Sequence, residues 1–136
     1  MESFPKISEY MDTAVPTLSP ETKIIEAVDF LLRYQVTGTP VVNSKGKLVG
    51  IITETDLLKL LTEGIRGEPP TEATVAEYMT TDVLTVPPTV DIYYVAGMFL
   101  ANKFRRLPVV EGGKIVGAIT RYDLLRVVRA LSGMPG

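Results

Sequence analysis

Apolar residues recur at helical spacing in two stretches of the chain, and we expect each stretch to bury one face of a helix. The positions on these faces are Ile24, Val28, Leu31 and Leu32 in the first stretch, and Ile92, Val95, Ala96, Phe99 and Leu100 in the second. Ser19-Pro20 stands before the first stretch, and proline is tolerated in the first turn of a helix. The first helix is therefore predicted to begin at this pair.

Each helix is followed by two apolar segments that have the composition of strands. In the first half they run from Thr39 to Val42 and from Leu48 to Thr53, and Asn43-Ser44-Lys45-Gly46 predicts the turn between them. In the second half the shorter Glu111-Gly112-Gly113 stands in place of this turn. We therefore expect one antiparallel hairpin in each half of the chain.

Shorter elements flank each predicted hairpin. Last helices are expected from about Thr55 to Thr62 and from Tyr122 to Leu131, and Leu57, Leu58, Leu60 and Leu61 are expected to form a buried face. Leading helical turns are predicted at Ile7 to Met11 and Val75 to Met79, followed by extended pieces at Val15 to Leu18 and Val83 to Val86. Thr74 stands three residues before Glu77, which is the spacing of a capping box.

The second half of the chain repeats the first. Glu9-Tyr10-Met11 recurs 68 residues later as Glu77-Tyr78-Met79, and beyond the shorter turn the offset becomes 67, so that Asp56-Leu57-Leu58 becomes Asp123-Leu124-Leu125. Self-similarity of this kind indicates a duplicated structural unit. We predict repeats over residues 7–62 and 74–131, joined by a Gly- and Pro-rich linker over residues 63–73.

The predicted fold class is α/β (α+β), built from two β-α-β-β-α repeats related by a pseudo-twofold axis. One unit of about 60 residues would be marginal alone, because small domains bury too little surface. We therefore expect the repeats to pack sheet to sheet and to form two related clefts between them.

Composition excludes several classes of function. The chain has no His and no Cys, so it lacks the usual general base near pH 7 and any zinc–sulfur site. Its 136 residues carry a formal charge of −2, which argues against nucleic acid as a partner. The longest runs without a charged residue are 11 residues, too short to span a membrane. The first residues do not resemble a signal peptide, and we expect a cytoplasmic protein.

The candidate binding motif lies where a strand becomes a helix. It is Gly50-Ile51-Ile52-Thr53-Glu54-Thr55-Asp56, and its second copy runs from Gly117 to Asp123. Thr with Asp three residues later is a common capping box. The same geometry offers free backbone N–H groups and the positive end of a helix dipole to a phosphate. An ionised Asp accepts from two neighbouring donors, such as ribose hydroxyls. The two readings are compatible.

The doubled pattern resembles a tandem pair of CBS (cystathionine-β-synthase-type) domains, a Bateman module, over nearly the whole chain. The resemblance is carried by Tyr-Met at the end of each leading turn, Pro-Val-Val in each middle strand and Gly-x-x-Thr-x-x-Asp-Leu-Leu at each end. It implies a sensor that binds AMP, ADP, ATP or S-adenosylmethionine in the clefts between the repeats. It also implies a homodimer, since such modules commonly pair.

The resemblance also implies particular site residues. The ribose would be held by Asp56 and Asp123, with Thr53 and Thr120 beside them. The positions implied for adenine are Thr13, Val15, Gly38 and Thr39 at the Asp123 site, and Val83 and Leu84, together with Arg105 and Arg106, at the Asp56 site.

Arginines near these motifs favour contact with phosphate oxygens, because a guanidinium gives fixed, multidentate hydrogen bonds. Arg105 and Arg106 would serve the Asp56 site, and Arg121 directly follows Thr120. The alternative for Arg105 and Arg106 is a solvated helix end. Arg126 and Arg129 are expected on a solvated face or, alternatively, against a partner or a phosphate.

Other side chains of this region have ordinary structural explanations. Tyr93, Tyr94 and Tyr122 are expected to pack on helix faces or at the surface, although a tyrosine could stack on a purine. Met11 and Met79 are expected to fill the core.

The leading functional hypothesis is a non-catalytic regulatory module that signals to a separate partner protein in trans. Magnesium could accompany the phosphates of a bound nucleotide. The alternative is a structural or interaction protein with vestigial clefts. An enzyme is disfavoured because two Asp residues in separate clefts do not form a paired acid and base.

Overall fold

The computed structural model describes residues 4–64 and 72–133, with the side chains of residues 63 and 64 excepted. A 3-10 helix at Ile7–Glu9 precedes five α-helices: α1 at Ile24–Tyr34, α2 at Glu54–Gly64, α3 at Val75–Tyr78, α4 at Ile92–Ala101 and α5 at Arg121–Ser132. Four strands complete the fold: β1 at Gly38–Val42, β2 at Leu48–Thr53, β3 at Arg106–Glu111 and β4 at Lys114–Thr120. The two predicted hairpins and the helices on either side of them are confirmed. Most of the predicted linker lies outside the described residues.

The chain forms two compact units that divide it at Val15/Pro16 and at Val83/Leu84. The central unit runs from Pro16 to Val83. The split unit combines the N-terminal segment up to Val15 with the chain from Leu84 onward. Each leading helix therefore belongs to the unit that holds the other repeat's hairpin. The repeat boundaries themselves stay a prediction.

Each unit contains one antiparallel two-stranded sheet, and the two registers match. Val41 pairs with Gly50 and Val109 with Gly117, and each register shifts at the next residue. The extended pieces before α1 and α4 add a single parallel bridge to each sheet, through Leu18 and Val86. They do not lengthen into strands, because neighbouring prolines have no N–H group to donate to a ladder.

Helix α1 begins at Ile24, so the prediction of a helix start at Ser19-Pro20 is wrong. The residues before Ile24 form a turn whose carbonyl groups bond to α3. The N–H of Ala76 donates to the Pro20 carbonyl at 3.0 Å, and the N–H of Val75 donates to the Thr22 carbonyl at 2.8 Å. These carbonyls therefore serve as acceptors for α3 and not for a longer α1.

Each unit has its own hydrophobic core. The buried residues of the central core are Ile24, Ala27, Val41, Ile52, Leu60, Ala73 and Val75. Those of the split core are Ile7, Val86, Ile92, Val95, Phe99, Leu107, Val109, Ile119 and Val127. Ile7 and Val75 stand at matching places in the two leading helices, and both are completely buried. Each leading helix thus anchors the core that it joins.

Several leucines that the periodicity predicts as buried are exposed, and these predictions are wrong. Leu32, Leu58, Leu61 and Leu100 lie on the outer faces of their helices, with Leu100 89% exposed. A two-stranded sheet covers only one narrow stripe of a helix, so a wide apolar face extends beyond it. Within the described part of the chain, no helix is both long and apolar enough to cross a membrane.

Gly50 and Gly117 let the segments after the leading helices approach the sheets closely. A Cβ atom at Gly50 would lie 2.7 Å from Met79 Sδ and 2.9 Å from the Thr80 carbonyl oxygen. At Gly117 the same distances, to Met11 Sδ and the Asp12 carbonyl oxygen, are 2.6 and 2.9 Å. Met11 and Met79, which were expected to fill the core, therefore pack on these glycines and lie half-buried against the two cores.

We expect Gly50→Ala to destabilise the protein by about 1–3 kcal/mol, because the added carbon overpacks a backbone contact. The crowded Thr80 oxygen accepts from the Ile51 N–H at 2.9 Å, so it cannot retreat without weakening that bond. Gly97→Ala is the control, since nothing lies within 4 Å of its Cβ position in α4 and alanine favours a helix. Urea unfolding measures both variants, and equal stabilities would contradict this packing.

Candidate functional site

Thr53 and Asp56 meet where β2 ends and α2 begins. The Asp56 carboxylate is 4% exposed, and its Oδ2 accepts from the Thr53 backbone N–H and from the Thr53 hydroxyl, each at 2.9 Å. The Asp56 N–H in turn donates to Thr53 Oγ1 at 3.2 Å. The predicted capping arrangement is therefore present, and it turns a buried carboxylate toward the start of the helix.

The second carboxylate oxygen of Asp56 has a partner that the sequence analysis missed. Thr80 Oγ1 donates to Oδ1 at 3.1 Å, and Lys59 Nζ lies 3.8 Å from the same oxygen. Thr80 reaches this place because its backbone bridges to Ile51 in β2. The sequence feature that could have pointed to Thr80 is the repeat, because Thr80 directly follows the repeated Glu-Tyr-Met.

Asp123 occupies the matching place in the split unit, and it is 6% exposed. Its Oδ2 accepts from the Thr120 N–H at 2.8 Å, and its own N–H donates to Thr120 Oγ1 at 3.1 Å. Its Oδ1 accepts from Arg126 Nη2 at 2.5 Å. Arg126 was expected on a solvated face or, alternatively, against a partner or a phosphate. Its side chain is exposed, and its guanidinium also contacts the site carboxylate.

The arginines of the phosphate hypothesis all lie in the split unit. Arg106 pairs with Thr120 across β3 and β4, and Arg121 is the first residue of α5. Arg105 is exposed just before β3. The structure therefore brings Arg106 and Arg121 next to Thr120. That Arg105 and Arg106 bind phosphate at the Asp56 site stays a prediction.

The residues implied for adenine are divided between the units. Gly38, Thr39 and Val83 lie in the central unit, and Thr13, Val15 and Leu84 lie in the split unit. Thr39 is completely buried, and its hydroxyl donates to the Pro16 carbonyl at 2.7 Å. Any contact of Thr39 with a ligand would therefore use its backbone.

Gly38 holds the position in β1 that Arg106 holds in β3. Gly38 pairs with Thr53, and an added Cβ would lie 3.2 Å from Thr53 Cγ2. The two hairpins thus present different groups beside their site threonines: a bare backbone in the central unit and a guanidinium-bearing side chain in the split unit.

The three tyrosines of the purine-stacking alternative are all exposed. Tyr93 packs edge to face on Phe4, with ring centroids 5.0 Å apart. This contact agrees with the expected packing on a helix face.

All buried polar side-chain atoms of the described residues have a hydrogen-bond partner. The donors already present use only part of the roughly four acceptor sites of each carboxylate, so a ligand that reaches Asp56 or Asp123 either shares the carboxylate with them or displaces one. Within residues 4–64 and 72–133, no three acidic side chains cluster closely enough to hold a metal ion.

Each unit has a Thr–Asp pair at the point where the second strand of its hairpin ends and a helix begins. This arrangement defines a tandem-repeat protein with duplicated polar sites. The family model for the CBS domain matches residues 7–63 and 75–130. The chain belongs to the CBS domain family.

Relatives and solved structures agree with this assignment. An uncharacterized protein (MJ1225) of Methanocaldococcus jannaschii is 34% identical over 90% of this chain, and the match covers 42% of that protein. The chain spans less than half the length of the curated relatives that lead this comparison.

Two solved structures carry adenosine compounds. CBSX2 in complex with AMP shares 30% identity and a TM-score of 0.82, covering 94% of this chain and 98% of that one. The CBS domain pair of MJ0100, in complex with 5′-methylthioadenosine and S-adenosylmethionine, shares 26% identity and a TM-score of 0.77, covering 95% and 99% of the chains. These two proteins, which are similar to this chain in fold, thus bind adenosine-containing ligands.

Proposed function

We propose that this chain is a non-catalytic regulatory module that binds an adenosine-containing ligand: AMP, ADP, ATP or S-adenosylmethionine. One observation carries the proposal. Asp56 and Asp123 are buried carboxylates at the starts of helices, each beside a threonine, in both units of the chain. Bound AMP in CBSX2 and bound S-adenosylmethionine in MJ0100 support this choice of ligand.

The proposed chemistry is an exchange of hydrogen-bond donors on each carboxylate. A ribose offers two neighbouring hydroxyl groups, and an ionised carboxylate accepts from both. Hydrogen bonds to a charged group are worth about 1.5–3 kcal/mol each, more than bonds between neutral groups. The buried position of each carboxylate keeps competing water away. Asp56 and Asp123 are thus proposed to select ligands that carry a ribose diol.

The remaining site residues have proposed roles around this anchor. Thr53 and Thr120 would face the ribose and phosphate, and Arg105, Arg106 and Arg121 would bind phosphate oxygens. The residues proposed to surround adenine are Thr13, Val15, Gly38, Val83 and Leu84, together with the backbone of Thr39. Magnesium would arrive with the phosphates of a nucleotide, since oxygen ligands from phosphate are what it prefers.

Signalling is proposed to occur in trans, through a partner protein that recognises the liganded form. A ligand shifts such an equilibrium only when it binds one form better than the other. We also propose a homodimer, which the exposed leucines of α1 and α2 support. Leu32, Leu58 and Leu61 line an apolar groove of about 360 Å³ between these helices. A cytoplasmic location stays a prediction, and the relative CBSX2 of Arabidopsis thaliana is named chloroplastic.

The alternative is an interaction protein with vestigial sites. One observation favours it: Thr80 and Arg126 of the chain itself donate to the carboxylates.

Thermal unfolding with and without ligands tests the two functions against each other. We expect AMP, ADP, ATP or S-adenosylmethionine to raise the Tm, because a ligand that binds only the folded state stabilises it by about 2.7 kcal/mol at a hundredfold excess over Kd. GTP is the control for the purine base. A folded, nucleotide-free protein whose Tm is unmoved by every adenosine ligand would favour the interaction protein.

A further inference from the structure

The two site carboxylates are held by different chemistry at equivalent positions of the repeat. Thr80 and Asp12 are 68 residues apart, and each bridges to its β-strand in the same register, to Ile51 or to Ala118. Lys59 and Arg126 are 67 residues apart, three residues beyond their site Asp. The pair Thr80/Lys59 in the central unit therefore corresponds to Asp12/Arg126 in the split unit.

In the central unit the exchangeable partner of Asp56 is a neutral hydroxyl. Thr80 is exposed, and its Oγ1 lies 3.1 Å from Oδ1. Lys59 Nζ lies 3.8 Å from that oxygen, which is beyond hydrogen-bond distance. A ribose hydroxyl that takes the place of Thr80 exchanges one neutral O–H donor for another. Water can then solvate the released threonine.

In the split unit the position of Thr80 is filled by an acid that cannot donate. The Asp12 carboxylate instead accepts from the Ala14 N–H at 3.0 Å. Asp123 is held by the Arg126 guanidinium, a charge-assisted bond about twice as strong as a neutral one. A ribose must therefore share Asp123 with Arg126 or displace it. A displaced guanidinium, whose side chain is 61% exposed, is left to water unless the ligand brings an anion for it to bind.

We propose that Arg126 is a specificity-determining residue that makes the Asp123 site selective for phosphorylated adenosine ligands. This inference rests on the proposed function. The phosphate of a nucleotide gives Arg126 a new charged partner when it leaves Asp123, whereas an uncharged nucleoside leaves it to water. The Asp56 site has no such requirement, so it accepts adenosine ligands with or without phosphate.

Two positions beside the site threonines also differ in charge between the units. The residue after the site threonine is Arg121 in the split unit and Glu54 in the central unit. The strand residue opposite the site threonine is Arg106 in the split unit and Gly38 in the central unit. These two differences make the surroundings of Asp123 more positive than those of Asp56, and together they outweigh the one negative charge that Asp12 adds where the central unit has Thr80. An anionic ligand is therefore favoured at Asp123 by the unit's own charges.

Calorimetric titration of the full chain with AMP and with uncharged adenosine tests this selectivity. In Asp56→Asn, which leaves the Asp123 site, we expect AMP to bind about tenfold more tightly than adenosine, the factor for one charge-assisted bond over a neutral one. Adding Arg126→Gln should remove most of that preference. Adding Arg126→Lys should restore part of it, because the charge returns without the guanidinium fork.

The matched control is Lys59→Gln in the Asp123→Asn background, where only the Asp56 site remains. The ratio of AMP affinity to adenosine affinity should change by no more than about twofold when Lys59→Gln is added, because an exposed charge at 3.8 Å contributes little. A ratio near one in Asp56→Asn, or a ratio that Arg126→Gln leaves unchanged, would overturn the role of Arg126 while the proposed function stands. Wild-type protein that binds neither ligand would overturn both. Thermal unfolding of each variant confirms that it is folded.

Discussion

The double variant Asp56→Asn/Asp123→Asn is expected to lose AMP binding. Asparagine has nearly the shape of aspartate and keeps one oxygen that can accept from the N–H of the capping threonine, so α2 and α5 should still begin at the same residues. One carboxylate oxygen becomes an NH2 group, which is a donor and cannot accept from a ribose hydroxyl. With about 1.5–3 kcal/mol lost for each charged bond, AMP affinity at each site should fall by roughly 10- to 150-fold.

Calorimetry of the single and double variants measures this loss. Asp91→Asn is the matched control, because Asp91 caps α4 by accepting from the Tyr94 N–H at 2.9 Å and belongs to neither site. Its AMP affinity should equal that of the wild type. A folded double variant that binds AMP as tightly as the wild type would show that the carboxylates do not hold the ligand.

Ile7→Ala is expected to destabilise the split unit by about 2–5 kcal/mol, the range for truncating a fully buried isoleucine. Ile7 is 0% exposed and lies in the core that β3 and β4 of the other repeat form together with α4 and α5. Because the leading helix belongs to this core, the variant should loosen the amides of β3 and β4 more than those of β1 and β2. Hydrogen exchange of the strand amides, with urea unfolding, measures the effect.

Leu100→Ala is the control for Ile7→Ala, since Leu100 is 89% exposed and its truncation should change stability by no more than about 0.5 kcal/mol. Ile7→Ala with a similarly small effect, or with equal loosening of both hairpins, would contradict the assignment of the leading helix to the split unit.

Each leading helix belongs to the unit that holds the other repeat's hairpin, and this places residues that follow the helix beside the site carboxylates. Thr80 follows α3, and Asp12 follows the 3-10 helix, so each segment lies beside the β-strand of the other repeat. Each carboxylate is thus surrounded by residues from both repeats. Two copies of one sequence pattern can diverge at these positions without disturbing the hairpins themselves.

The sequence was sufficient to predict what depends on local pattern. Hairpin turns were predictable because Gly46, Gly112 and Gly113 have positive φ angles that glycine adopts without strain. The Thr–Asp pairs were predictable because a capping arrangement closes within three residues.

Features that depend on distant parts of the chain were not predictable from the sequence. The start of α1 depends on hydrogen bonds from α3, about 50 residues away along the chain. The role of Thr80 depends on a bridge to β2, and the exposure of Leu32 and Leu100 depends on how much of a helix each sheet covers. The contact of Arg126 with Asp123 could have been predicted, because a residue three positions after Asp123 lies on the same helix face.

A crystal structure of the wild-type chain grown with AMP shows whether Asp56 and Asp123 hold the ribose. We expect ribose hydroxyl oxygens within about 2.6–3.2 Å of the carboxylate oxygens of Asp56, Asp123 or both. In a site so occupied, the Thr80 hydroxyl or the Arg126 guanidinium should have moved from the carboxylate oxygen that it holds here. AMP bound elsewhere on the chain, with Thr80 and Arg126 in place, would contradict this role of the two carboxylates.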